Sequence, residues 1–254
     1  EAILNGEEGY SAQKSMQILV ALGDMFGADK LIPISSVQVA GVSYHNLGDA
    51  GLKYLSKLAE DGKVNVPTFL NPAGMDLQAW KEMGIAEDFA EKQQLVIKAF
   101  AAMGINTTCT CTPYLIGIEP KENEHVAWAE SSAVTYCNSV LGAYTNREGG
   151  PSALAAGFIG KTPNYGLHLD ENRVPDLGVT VDCELKTLSD WGALGNAIAK
   201  REKNKIALID GPNKPPLDYL KSFGASIVTY GSKPLYYIKG VTPKADSFEM
   251  PSET

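Results

Sequence analysis

Between residues 31 and 111 the chain three times runs from a short β-branched apolar stretch into a turn built from Asn, Gly, Ser or Cys. The stretches are 31–42, 63–70 and 105–111, and the first two turns lead into apolar helical spacing over 48–58 and 89–103. This rhythm leaves few architectures open. Successive strands lie parallel, and the helices that return the chain must cover the sheet they cross. It is preceded by a predicted helix over 13–26, where Met16, Ile18, Leu19, Leu22, Met25 and Phe26 repeat at helical spacing before the Gly27 stop.

The alternation resumes further on. Helices are predicted over 131–141, 152–158, 188–201 and 217–223, and strands over 177–185, 205–209, 225–230 and 235–239, with a break at Gly211-Pro212. The fold class expected is α/β, with mostly parallel sheets and flanking helices. Motif density falls after Val174. Residues 1–174 therefore read as a motif-rich catalytic α/β region and 175–254 as the start of a second α/β region that the chain does not complete.

A formal charge of −8 without any basic run argues against nucleic acid and against anionic membrane surfaces. No apolar run approaches a membrane span and no leader is visible, so a cytoplasmic address is expected. Four cysteines are too few for a disulfide framework, and a small anionic substrate would need cations of its own.

Reactive side chains concentrate in 109–172, which holds Cys109, Cys111, Cys137, His125 and His168 among glycines and prolines. Such a mixture suits a pocket, because acid, base and ligand groups sit best on tightly turned backbone at element ends. Cys109 and Cys111, before the Thr112-Pro113 turn, are placed either to hold a soft metal or simply to pack. Loss of water from a hydroxy acid needs a base beside the carboxylate, a proton for the departing hydroxyl and a cation for the carboxylate. Glu148, Glu130 and His125 are the acid/base candidates, and Arg147 is the carboxylate clamp. Read singly, Glu130 and Ser131 are better explained as helix caps, and Asn146 and Arg147 as makers of surface hydrogen bonds. Gly149 and Gly150 can offer backbone N–H groups to an anion at a helix start. Neither a P-loop nor a dinucleotide fingerprint is present, and there is no G-x-S-x-G turn.

Taken together, the strings KLIPI (30–34), VQVAGVSY (37–44), LNPAGMD (70–76), CTCTPY (109–114), ESSAV (130–134), TNREGGPSAL (145–154) and TPNYGLHLDEN (162–172) resemble the aconitase X family over nearly the whole chain. The resemblance implies an aconitase-like catalytic part and an iron–sulfur hydro-lyase, in which one iron acts on the substrate hydroxyl. Cys111 matches a cluster cysteine, with further ligands expected beyond residue 254. A small swivelling-domain subunit is the implied partner. The substrate-binding residues implied are Asn71, Ser131, Ser132, Asn146, Arg147, Gly149, Gly150, Ser43 and His45. Of the family's activities, dehydration of mevalonate 5-phosphate to the anhydro product in isoprenoid synthesis is expected. Dehydration of cis-3-hydroxy-L-proline is the alternative, and a non-catalytic scaffold subunit is the alternative from another class.

Overall fold

A computed structural model describes all residues except 202–203, 212–213, 232 and 253–254, so Pro212 of the expected break lies outside the described residues. In chain order the elements are α1 (Tyr10–Phe26), β1 (Leu31–Pro33), β2 (Val37–Val39), α2 (Tyr44–Leu58), β3 (Thr68–Leu70), α3 (Glu87–Ala102), β4 (Ala127–Trp128) and α4 (Ser131–Ser139), then α5 (Gly150–Ile159), β5 (Lys161–Pro163), β6 (Leu177–Thr180), α6 (Leu188–Arg201), β7 (Ala207–Asp210), α7 (Leu217–Tyr230) and β8 (Tyr236–Ile238). The α/β class with mostly parallel sheets holds. Among the described residues no helix is long and apolar enough to cross a membrane.

Two compact units share this chain. The first comprises Glu1–Ile116, His125–Glu130 and Glu148–Tyr165, and the second comprises Gly117–Glu124, Ser131–Arg147 and Gly166–Thr254. At the heart of the first lies a parallel sheet in the order β3-β2-β4. Val37, Val39, Leu70, Ala127 and Ala129 join Ala153, Leu154 and Phe158 of α5 and Val96 and Phe100 of α3 in one apolar cluster. Helix α1 begins where Asp61 accepts the Tyr10 N–H at 2.6 Å, which supplies the N-terminal cap that the local sequence lacks.

The second unit carries the parallel sheet β6-β7-β8. Trp191 of α6, Phe223 of α7 and Tyr236 of β8 meet edge to face, with ring centroids 6.1 and 4.7 Å apart. Its other anchor is Arg173. Buried and stacked on Tyr144 at 4.0 Å, its two terminal nitrogens donate to Asn138 Oδ1, Asn138 O, Leu167 O and Ala143 O.

Several strand expectations are corrected. The 31–42 run splits in two: β1 pairs antiparallel with β5, while β2 starts a separate, parallel sheet. Over 105–111 the described pairing is a single bridge at Asn106, and the backbone then turns left-handed at Cys109 (φ 50°). Residues 225–230, expected as a strand, continue α7, because Leu220, Phe223, Gly224, Ile227 and Val228 bury one helical stripe. Tertiary packing there overrides the β preference of Ile, Val and Thr.

Candidate active site

Side chains alternate across a strand, and registered residues of neighbouring parallel strands share a face. Val37 pairs with Thr68 and Ala127, and Gln38 with Phe69 and Trp128. One face of the first sheet thus carries Val37, Val39, Leu70 and Ala127 together with Thr68, whose hydroxyl is turned back onto Val66 O at 2.9 Å. The other carries Ser36, Gln38, Phe69 and Trp128, and continues past the strand ends to Asn71 and Glu130. Asn71 remains on the ladder, donating its N–H to Val39 O at 2.9 Å. A buried parallel sheet ordinarily reads apolar on both faces. Here Gln38 is wholly buried and Asn71 is 2% exposed. Glu130 donates its N–H to Gln38 Oε1 at 3.1 Å. Gln38 Nε2 and Asn71 Oδ1 are buried with no hydrogen-bond partner among the described residues. Asn71 and Glu130 stand where ligands of open α/β sheets gather, beyond the carboxyl ends of the strands.

Turns after the strands bring further candidates to that end. Gln93 of α3 clamps the β2–α2 turn, accepting the Tyr44 N–H at 2.7 Å and donating to Val42 O at 3.0 Å. Ser43 sits inside this clamp. Gly74 closes against it in a left-handed conformation, where a Cβ would lie 2.9 Å from Gln93 Oε1 and 3.0 Å from Ser43 Oγ. His45 is exposed on the first turn of α2, its ring stacked on Phe89 at 4.3 Å. Residues 72–78 and Cys109 line an open hollow of about 610 Å³ beside Asn71. Cys109 is half-buried, with its thiol pushed up by burial, and Cys111 is exposed.

Glu148 is a buried carboxyl shifted towards its neutral form. It is 6% exposed, and burial raises its pKa, opposed by hydrogen bonds from Ser152 (2.6 Å to Oε2) and Thr162 (3.5 Å to Oε1). Its N–H donates to Trp128 O at 3.0 Å, which fixes it alongside β4. Gly149 and Gly150 follow and open α5. Gly150 packs so closely on Ala40 O that a Cβ would come to 2.8 Å. Helix α5 therefore starts against the carboxyl end of β2, with Pro151 in its first turn.

His125 lies elsewhere, at the amino end of β4, where its carbonyl accepts the Ser35 N–H. In the second unit, Ser131 and Ser132 occupy the first turn of α4, half-buried. Asn146 is buried, its Oδ1 accepting the Leu167 N–H at 2.8 Å, and Arg147 is exposed. Arg173 has its terminal nitrogens committed to protein acceptors. Gln38 and Gln93 were not anticipated. The signal for Gln38 was present: a lone amide inside an apolar β-branched run.

The residues described do not assemble an iron–sulfur site. Among them no three His, Cys, Asp or Glu side chains are grouped to share a metal. Cys137 is buried within α4, where burial holds its thiol protonated, and Cys183 is exposed in the second unit.

The chain is similar to known proteins over its whole length. The aconitase X first-domain profile matches residues 1–171, and the second-domain profile matches 175–254. The phosphomevalonate dehydratase large subunit of Methanosarcina mazei is 53% identical over 256 residues, covering 100% of this chain and 64% of that protein. The cis-3-hydroxy-L-proline dehydratase of Hypocrea jecorina is 37% identical over 254 residues, covering 98% of this chain and 42% of that protein. The crystal structure of Thermococcus kodakaraensis aconitase X in its holo form superposes with a TM-score of 0.88 at 49% identity, covering 100% of this chain and 63% of that one. The chain thus spans less than two thirds of the length of these relatives.

Proposed function

Because the chain belongs to the aconitase X family, we propose that it forms the greater part of the large subunit of a hydro-lyase that removes water from mevalonate 5-phosphate. The observation that carries this reading is the desolvated Glu148 carboxyl, held by Ser152 and Thr162 at the start of α5. Identity favours the phosphorylated substrate over the hydroxyproline, at 53% against 37%.

Loss of water takes a proton from the carbon beside the carboxylate and expels the hydroxyl from the next carbon, which leaves as water once protonated. Glu148 suits the proton-handling role, because burial brings its pKa towards working pH. Glu130, fixed by its N–H on Gln38, is the second acid/base candidate, and His125, at the other end of β4, is the third. Asn71 and Ser43 border the strand ends where the substrate would lie. Arg147 and the N–H groups of Gly149 and Gly150 suit its anionic ends, with Asn146, Ser131, Ser132 and His45 as further contacts. An iron–sulfur cluster would take one thiolate from Cys111 and its other ligands from outside these 254 residues. The small swivelling-domain subunit is the partner proposed, in keeping with the "large subunit" named for the relative.

The test is anaerobic assembly of the full-length large subunit with its partner, followed by turnover of mevalonate 5-phosphate and cis-3-hydroxy-L-proline side by side. Turnover of the phosphate alone is expected. Turnover of the proline alone would overturn the substrate, and turnover of neither would overturn the reaction.

A further inference from the structure

Gln38 occupies the middle of β2, the central strand of its sheet, with no exposure to solvent. The orientation of its carboxamide is fixed, because the Glu130 N–H needs an oxygen and finds Oε1 at 3.1 Å. Nε2 is then left as a buried donor without an acceptor among the described residues. A methionine would fill this place without that penalty. On the neighbouring strand, two residues further along the same face, Asn71 Oδ1 is a buried acceptor without a donor. An unmet donor and an unmet acceptor on one face of one sheet complement a ligand that has both an anionic oxygen and a hydroxyl hydrogen.

We propose that Gln38 is a substrate-binding residue, which steadies Glu130 through Oε1 and donates Nε2–H to a carboxylate oxygen of the bound hydroxy acid. This rests on the hydro-lyase reading above and adds a contact to it. The role needs both ends of the amide, so two replacements separate them. Gln38→Met keeps the volume and removes both bonds. Gln38→Glu keeps the acceptor for the Glu130 N–H and replaces the donor by a like charge.

Both variants would be assembled with the partner subunit and compared with wild type for KM, kcat and the rise in Tm that mevalonate 5-phosphate produces. Gln38→Met is expected to raise KM about tenfold or more and to lose the ligand-induced rise, while its unliganded Tm stays near wild type. Gln38→Glu should raise KM further, and the defect should ease as pH falls and the new carboxylate is protonated. Wild-type KM and ligand response in Gln38→Met would overturn the proposal and leave Nε2 to an ordered water. Should Gln38→Met fail to assemble, an unchanged KM in Gln38→Glu would overturn it equally. A wild-type enzyme that responds to the ligand without turning it over would count against the hydro-lyase reading, while loss of that response in Gln38→Met would still support the contact.

Discussion

Ser152 donates its hydroxyl to Glu148 Oε2 at 2.6 Å and accepts the Gly149 N–H at 3.0 Å. One hydroxyl thus joins the first turn of α5 to a carboxyl that burial pushes towards its neutral form.

Glu148→Gln should separate stability from activity. A carboxyl whose folded pKa lies above its unfolded value of about 4.3 stabilises the fold below that value and loses this contribution as pH rises through the folded pKa. The variant should therefore melt above wild type at pH 8, with the difference shrinking towards zero below pH 4, as thermal unfolding would record. Turnover should fall by about two to four orders of magnitude. A variant less stable at every pH would mean that Glu148 is held for structure.

Ser152→Ala removes a bond that favours the charged carboxylate, so the Glu148 pKa should rise further. The acid limb of the kcat/KM profile should move to higher pH. An unmoved limb would assign that limb to another group.

Arg173 holds the 138–144 and 166–173 segments by four hydrogen bonds to neutral acceptors. Arg173→Met strands several of these in the interior and should cost about 3 kcal/mol or more in denaturant unfolding. Lysine should recover only part of this, because one ammonium cannot reproduce the planar fork. Full recovery by lysine would show that charge alone is needed.

Alkylation followed by mass spectrometry should rank the thiols by access. Exposed Cys111 and Cys183 should label first, half-buried Cys109 more slowly and Cys137 only on unfolding. Early labelling of Cys137 would contradict the packing of α4.

Much of the frame was legible from spacing. Helix α6 falls on the expected 188–201, and α1 begins three residues before the expected 13 because its cap, Asp61, lies far along the chain. The antiparallel β1–β5 pair was not legible, since partners that far apart leave no local mark. Strand 225–230 failed for the opposite reason: Ile227, Val228 and Thr229 have β character, but the stripe from Leu220 decides. At the site, the turn chemistry of 71–76 and the Gly149-Gly150 helix start were readable. The exposure of Arg147 and the raised pKa of Glu148 depend on burial, which no single residue announces.

The two faces of the first sheet bear on how this protein tolerates change. Along β2, odd-numbered Val37 and Val39 face the apolar cluster, while Gln38 between them faces the polar ends of Asn71 and Glu130. Three adjacent letters thus answer to two separate pressures. Sequence drift at the valines is bounded by volume, and drift at the glutamine by hydrogen-bonding pattern. The hydrogen-bonding pattern can accordingly change on one side of a strand while the packing on the other side stays untouched.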